Sequence, residues 1–126
     1  MTTLWVALAG GGGATARFLL DGAITSRRVL RFPWATFAIN VLGSLLLGYL
    51  TGLVLFQDAP TGLTVIAGAG FCGGFTTFST ASVETVRLLE ARRYTAGLAN
   101  VAGTLVVTAG VAALGLWLAS VSELSR

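Results

Sequence analysis

The stretch Gly68-Ala-Gly-Phe-Cys-Gly-Gly-Phe-Thr-Thr-Phe-Ser-Thr80 lies inside a run from Ala59 to Val83 that contains no charged residue. A run of that length can cross a bilayer as a helix, for which about 20 apolar residues suffice. Its composition opposes a continuous helix, however. Four glycines fall between residues 68 and 74, and four hydroxyl residues between 76 and 80. Glycine loses the most backbone entropy on ordering, and Ser and Thr compete for backbone hydrogen bonds. The middle of the run is therefore predicted to unwind. Unwound backbone at membrane depth must be buried in protein or line a wet cavity. In transporters, such breaks present carbonyls to cations and helix termini to anions. The stretch points to an ion.

Outward from it, two more charge-free runs, Phe32 to Gln57 and Tyr94 to Ser122, are also long enough to span. A shorter one, Thr2 to Ala16, ends at Arg17, which can snorkel to an interface. The chain thus reads as one all-α integral membrane domain over residues 1–126, with four transmembrane helices and short loops. The first segment lacks the positive n-region of a secretory signal and is expected to be retained. With 55% of its residues hydrophobic and only 10% charged, a soluble bundle of this size has too little polar sequence to cover its surface.

The formal charge of +3 comes from eight arginines against five acidic residues, with no lysine. Arg17, Arg27, Arg28, Arg31, Arg87, Arg92 and Arg93 fall at or beside predicted loops, where positive charge sets orientation in a membrane. No nucleic-acid partner is expected. Cys72 has no second cysteine to pair with and the chain has no histidine, which excludes a zinc site or a histidine-based triad. No paired carboxylates or nucleophile with a base occur at membrane depth, so no enzyme is expected. Gly68-Ala-Gly-Phe-Cys-Gly73 matches a dinucleotide-binding fingerprint by letter, but its flanks are membrane-length apolar sequence rather than a βαβ unit.

The polar residues within the spans are neutral donors. In the second, Asn40, Ser44, Gly48 and Gly52 recur every four residues and share a face. The last three form a small-xxx-small stripe for close helix packing. Asn40 either bonds a neighbouring helix or turns its NH₂ to an anion path. The fourth span carries a second polar row, Asn100, Thr104 and Thr108. Neutral donors can replace the water of a small anion and still let it leave. The ring edges of Phe71, Phe75 and Phe78 are partially positive and can face an anion, although packing is their usual role in a membrane. Arg17 either snorkels or draws anions toward a vestibule.

Three motifs carry a family resemblance: Gly-Gly-x-x-Ala-x-x-Arg17, Asn40-x-x-Gly43 and the helix-three run from Gly70 to Thr80. Through them the whole chain resembles the Fluc (CrcB) fluoride channels. The resemblance implies passive, fluoride-selective export of cytoplasmic fluoride across the bacterial plasma membrane. It also implies an antiparallel dual-topology dimer, embedded in lipid, with two pores at the interface and the third helix broken at mid-membrane. A structural Na⁺ would be held by the main-chain carbonyls of Gly73 and Thr76. By motif position, the fluoride pathway falls on Asn40, Phe78, Ser79, Thr80, Thr104 and Thr108. Glu84 matches an acidic position just past the break, and its role stays open. One departure stands out: the second pore phenylalanine of the family falls on Ala81.

The arginines bear on the dimer partner. Arg27, Arg28 and Arg31 follow the first helix, and Arg92 and Arg93 follow the third beside Arg87; the opposite face has only Arg126 and the amino terminus. The positive-inside rule places both arginine-rich loops in the cytoplasm. That bias favours a homologous second chain of opposite orientation over a second copy. Ala81 fits, because a heterodimer can let one of its pores degenerate. Two other readings compete. A small multidrug-type antiporter needs a titratable carboxylate deep in the membrane, and the first helix has none. A non-conducting partner or assembly subunit explains the small-residue stripes but not the donor rows.

Overall fold

The structure, a computed structural model, describes residues 1–25 and 32–124. Arg27, Arg28, Arg31 and Arg126, on which the orientation argument leans, lie outside the described residues. Every described element is helical. Helix α1 is Thr2–Thr25 and α2 is Trp34–Gln57. Helix α3 covers residues 61–75, and its Thr64–Cys72 part is π-helical. Helix α4 is Phe78–Glu90, and α5 covers residues 94–124 with a π-helical run at Ala99–Gly103.

Three spans have both the length and the apolarity to cross a membrane: Trp34–Gln57, Thr61–Glu90 (α3 with α4) and Tyr94–Ser122. The expected fourth, α1, has the length at 24 residues but is not among them. Its glycines at 10–13 and the charge of Arg17 dilute it. It also continues past Arg17 to Thr25, because a half-buried arginine on a helix flank need not end the helix.

Bare backbone holds the helices together. A Cβ on Gly48 would strike the Ala112 carbonyl, one on Gly115 the Leu45 carbonyl, and one on Gly52 would sit 2.5 Å from the Ala119 methyl. The small-residue stripe of α2 therefore finds its partner in α5, within the same chain. In lipid, van der Waals contact between closely approaching backbones drives such pairing. Helix α1 meets α3 the same way: Gly74 lies on the Gly10 carbonyl, Gly13 on the Phe71 carbonyl, and a Cβ on Gly70 would come within 2.9 Å of that of Ala9. At the far end, the Gln57 amide donates to the Ala119 carbonyl at 2.8 Å and to the Ser122 hydroxyl at 2.6 Å.

The glycines between 68 and 74 thus stay helical, contrary to the expected unwinding there. At Gly70 and Gly74 the neighbours on α1 fit only against backbone without side chains, which fixes the segment despite its intrinsic freedom. The break comes immediately afterwards. Thr76 (φ −76°, ψ 159°) and Thr77 (φ −148°, ψ 123°) are extended. Hydroxyl chemistry makes that position tolerable. Thr76 donates both its N–H (2.9 Å) and its hydroxyl (2.8 Å) to the Cys72 carbonyl. The Thr77 hydroxyl caps α4 by accepting the Thr80 N–H at 3.2 Å. After α4 the chain reverses tightly: Arg93 N–H bonds Leu88 O at 2.8 Å and Arg92 N–H bonds Leu89 O at 2.9 Å, with Arg92 left-handed at φ 57°. This turn brings α5 back beside α4.

Candidate functional site

Between α2, the broken α3–α4 unit and α5 runs an open groove of about 1030 Å³. It collects Asn40, Gly73, Thr76, Phe78, Thr104 and Thr108, together with Ala81, Thr85 and Asn100. Ser79 and Thr80 are not part of its lining. Both are exposed on the first turn of α4. Thr80 accepts the Thr77 hydroxyl at 3.1 Å, and the Ser79 oxygen lies 3.4 Å from that of Thr77. Their hydroxyls belong to the helix cap.

Asn40 is buried and bonds both polar groups of the Thr77 main chain. Its Nδ2 donates to Thr77 O at 2.9 Å, and Thr77 N–H donates to its Oδ1 at 2.8 Å. Here a side-chain amide pairs with extended backbone as a neighbouring strand would, supplying the partners that the break removes. Of the two sequence readings of Asn40, the structure shows the interhelical bond. The amide retains one further N–H. One turn along α2, Gly43 leaves room for the Thr76 methyl, which a Cβ would strike. Asn40 and Gly43 together form the α2 side of the break.

The aromatic residues divide. Phe71 and Phe75 stack with centroids 5.8 Å apart at 12°, and Phe75 is buried, so both are packing residues. Phe78 is 88% exposed and lines the groove, which packing within the chain does not explain. On α5, Thr108 donates to the Thr104 carbonyl at 2.6 Å. Asn100, 2% exposed, donates to the Thr85 hydroxyl at 2.8 Å and to the Ala81 carbonyl at 3.3 Å. The buried Thr104 hydroxyl has no partner among the described residues.

Glu84 accepts the hydroxyl of Thr36 at 3.0 Å on Oε1, while its buried Oε2 has no partner among the described residues. Sequence reading passed over Thr36. Its signal was its place four residues before Asn40, one turn away on the same face. It also missed Thr77 as the residue that Asn40 braces, a pairing that only the fold creates.

Among the described residues, no cluster of three or more His, Cys, Asp or Glu is placed to hold a metal. A cation at the break would need main-chain oxygens. Gly73 and Thr76 both line the groove there. In an unbroken helix the Gly73 carbonyl would receive the Thr77 N–H, which here goes to Asn40. The carbonyl is thereby left for another donor or a cation, so these residues fit a main-chain cation site.

Residues 4–116 match the family described as "CrcB-like protein, Camphor Resistance (CrcB)". The chain is 50% identical over 118 residues to "Fluoride-specific ion channel FluC 1" of Leifsonia xyli subsp. xyli, covering 94% of this chain and 86% of that protein. It is 50% identical over 121 residues to "Fluoride-specific ion channel FluC 2" of Cutibacterium acnes, covering 95% and 98%. A third relative, "Fluoride-specific ion channel FluC 1" of Thermobifida fusca, is 43% identical over 116 residues, 92% of this chain and 93% of that one. With three spans apolar and long enough to cross, the chain is a multi-pass protein of the bacterial plasma membrane and not an enzyme. It belongs to the Fluc (CrcB) family.

Proposed function

We propose that the chain forms a passive, fluoride-selective channel that exports cytoplasmic fluoride. The observation that carries this reading is the groove at the helix break. Its lining has no charged side chain, and the hydroxyls of Thr76, Thr85 and Thr108 donate to carbonyls of their own helices. Among mostly apolar residues it holds the exposed Phe78 ring and the Asn40 amide, which keeps one N–H unused. Such donors replace the hydration of a small anion without a fixed cation to trap it. Relatives at 50% identity bear the name fluoride-specific ion channel. A membrane potential of about 100 mV, negative inside, drives a monovalent anion outward by about 2.3 kcal/mol, so no coupled ion is needed. Coupled antiport would need a titratable carboxylate on the path, and Glu84 is not among the groove's lining residues.

The groove is open along one side, and in the working channel a second, antiparallel subunit closes it. Thr76 and Thr77 fall midway along the Thr61–Glu90 span, which supports a break at mid-membrane. The carbonyls of Gly73 and Thr76 would hold a structural Na⁺ there, a fixed positive charge at the centre of the assembly. The second subunit is a homologous chain rather than another copy. The lopsided arginines of the sequence and Ala81 in place of the second pore phenylalanine support this.

Expression in a fluoride-hypersensitive strain tests the function: growth in fluoride should return, fully only when the homologous chain is co-expressed. Unchanged sensitivity with both chains present would refute the function. Single cysteines in the Arg28 loop and at the carboxyl terminus, in a Cys72→Ala background, test the orientation. Reagent added outside intact cells should label the terminus alone. Equal labelling at both positions would instead indicate dual topology and a homodimer.

A further inference from the structure

Most hydroxyls around the groove are already spent. Those of Thr76, Ser82, Thr85 and Thr108 donate to the carbonyl four residues earlier, at 2.6 to 2.9 Å. Such back-bonding occupies the only donor that a hydroxyl has. The Thr77 hydroxyl donates to that of Thr80 at 3.1 Å, and the oxygens of Thr64 and Thr104 are covered by their surroundings. Ser44 differs from all of these. It is half-buried and lines the groove, and its hydroxyl has no hydrogen-bond partner among the described residues. Its oxygen, unlike those of Thr64 and Thr104, is not covered.

Helix packing decides where this hydroxyl stands. Helices α2 and α5 run in the same direction, with Gly48 against the Ala112 backbone and Gly52 against Leu116 and Ala119. One turn earlier on both helices, Ser44 is level with Thr108. Of the small-residue stripe, the two glycines meet α5, whereas Ser44 fronts the groove. The amides of the groove divide in the same way. Asn100 gives its N–H groups to α4, while Asn40 keeps one after bracing Thr77. The unspent side-chain donors of the groove thus stand on one face of α2, one turn or about 6 Å apart along its axis.

We propose that Ser44 is a donor on the ion path, its hydroxyl bonding the permeating anion one turn from the unused N–H of Asn40. The proposal rests on the fluoride-channel reading of the groove. A neutral hydroxyl rotates to suit its partner, so it can take the ion from the amide and release it again, as conduction requires. Thr108, level with it, donates to its own helix and turns no proton to the ion.

Fluoride and chloride efflux from liposomes containing the assembled channel tests it. Ser44→Ala should lower fluoride efflux about tenfold, the scale of one donor to a charged group, with subunit assembly and thermal melting as in the wild type. Ser44→Cys, close in shape but a weaker donor, should fall between Ser44→Ala and the wild type. Ser82→Ala removes a hydroxyl from the same groove, but one already given to the Phe78 carbonyl at 2.9 Å, and should keep most of the flux. Full flux in Ser44→Ala, or an equal loss in Ser82→Ala, would overturn the proposal. So would failure of Ser44→Ala to assemble, because the hydroxyl would then hold helices or subunits together rather than the ion. A wild-type channel without fluoride selectivity would overturn the underlying reading as well, whereas a selective one with an unimpaired Ser44→Ala variant overturns the role of Ser44 alone.

Discussion

At Asn40 one carboxamide braces the helix break, and the proposed function gives it a second task. It first satisfies the N–H and carbonyl of Thr77, at 2.8 and 2.9 Å, and only its remaining N–H is left for an ion. Asn40→Asp keeps an acceptor for the Thr77 N–H but sets a carboxylate against the Thr77 carbonyl and adds negative charge beside the groove. Fluoride efflux should fall at least tenfold, and thermal stability in detergent should drop by about 1–3 kcal/mol, the cost of an unsatisfied buried group. Unchanged flux would remove Asn40 from the pathway; unchanged stability would remove the brace. Gly73 behaves differently from the unwinding its sequence suggested. Its φ of −63° suits any residue and a Cβ there would meet nothing within 4 Å. Gly73→Ala should therefore leave the isolated chain folded, as judged by helix content and thermal melting. Any loss of assembly or flux would then come from the groove side, the second subunit or the cation. Melting of the isolated variant well below wild type would contradict this.

Among the helices, hydropathy made three spans legible, because charge-free runs of that length have few other uses. The first was legible only as a short segment, since glycine and Arg17 hide its apolar face. The broken third helix was legible as a fact but not in its position. Sequence alone assigns the glycines at 68–74 to unwinding, yet in the fold Gly70 and Gly74 are contact points for α1. The two extended residues are Thr76 and Thr77, whose hydroxyls and α2 partner offer the bonds that the helix gives up. Of the site, Asn40, Phe78, Thr104 and Thr108 converge on the groove, while Ser79 and Thr80 remain on the cap of α4. Motif position cannot separate the two sets, because alternate residues at a helix start face different sides. The π turns left no trace in composition. Close backbone contact gives a prediction at this scale: Gly48→Val should cost about 1–3 kcal/mol by overpacking against the Ala112 carbonyl. Gly103→Val, where a Cβ meets nothing within 4 Å, should cost far less. Equal thermal shifts for the two would refute the interlock of α2 and α5.

The molecule as a whole presents an open groove without charged side chains and a broken helix across the middle of a long apolar span, and its sequence concentrates arginines in the two loops after the first and third spans. None of these features is a working channel in one chain. Under the proposed function, a second subunit of opposite orientation supplies the wall that the groove lacks. The legible part at this scale came from motif and charge, while the groove is made by packing between helices far apart in the sequence. The central claim, fluoride selectivity without coupling, is tested by loading liposomes containing this chain and its homologous partner with potassium fluoride or potassium chloride and adding a potassium ionophore. Fluoride should leave within the time of the assay at a rate independent of proton or sodium gradients, while chloride stays behind. Equal efflux of the two anions, or fluoride efflux only with an imposed cation gradient, would contradict the account.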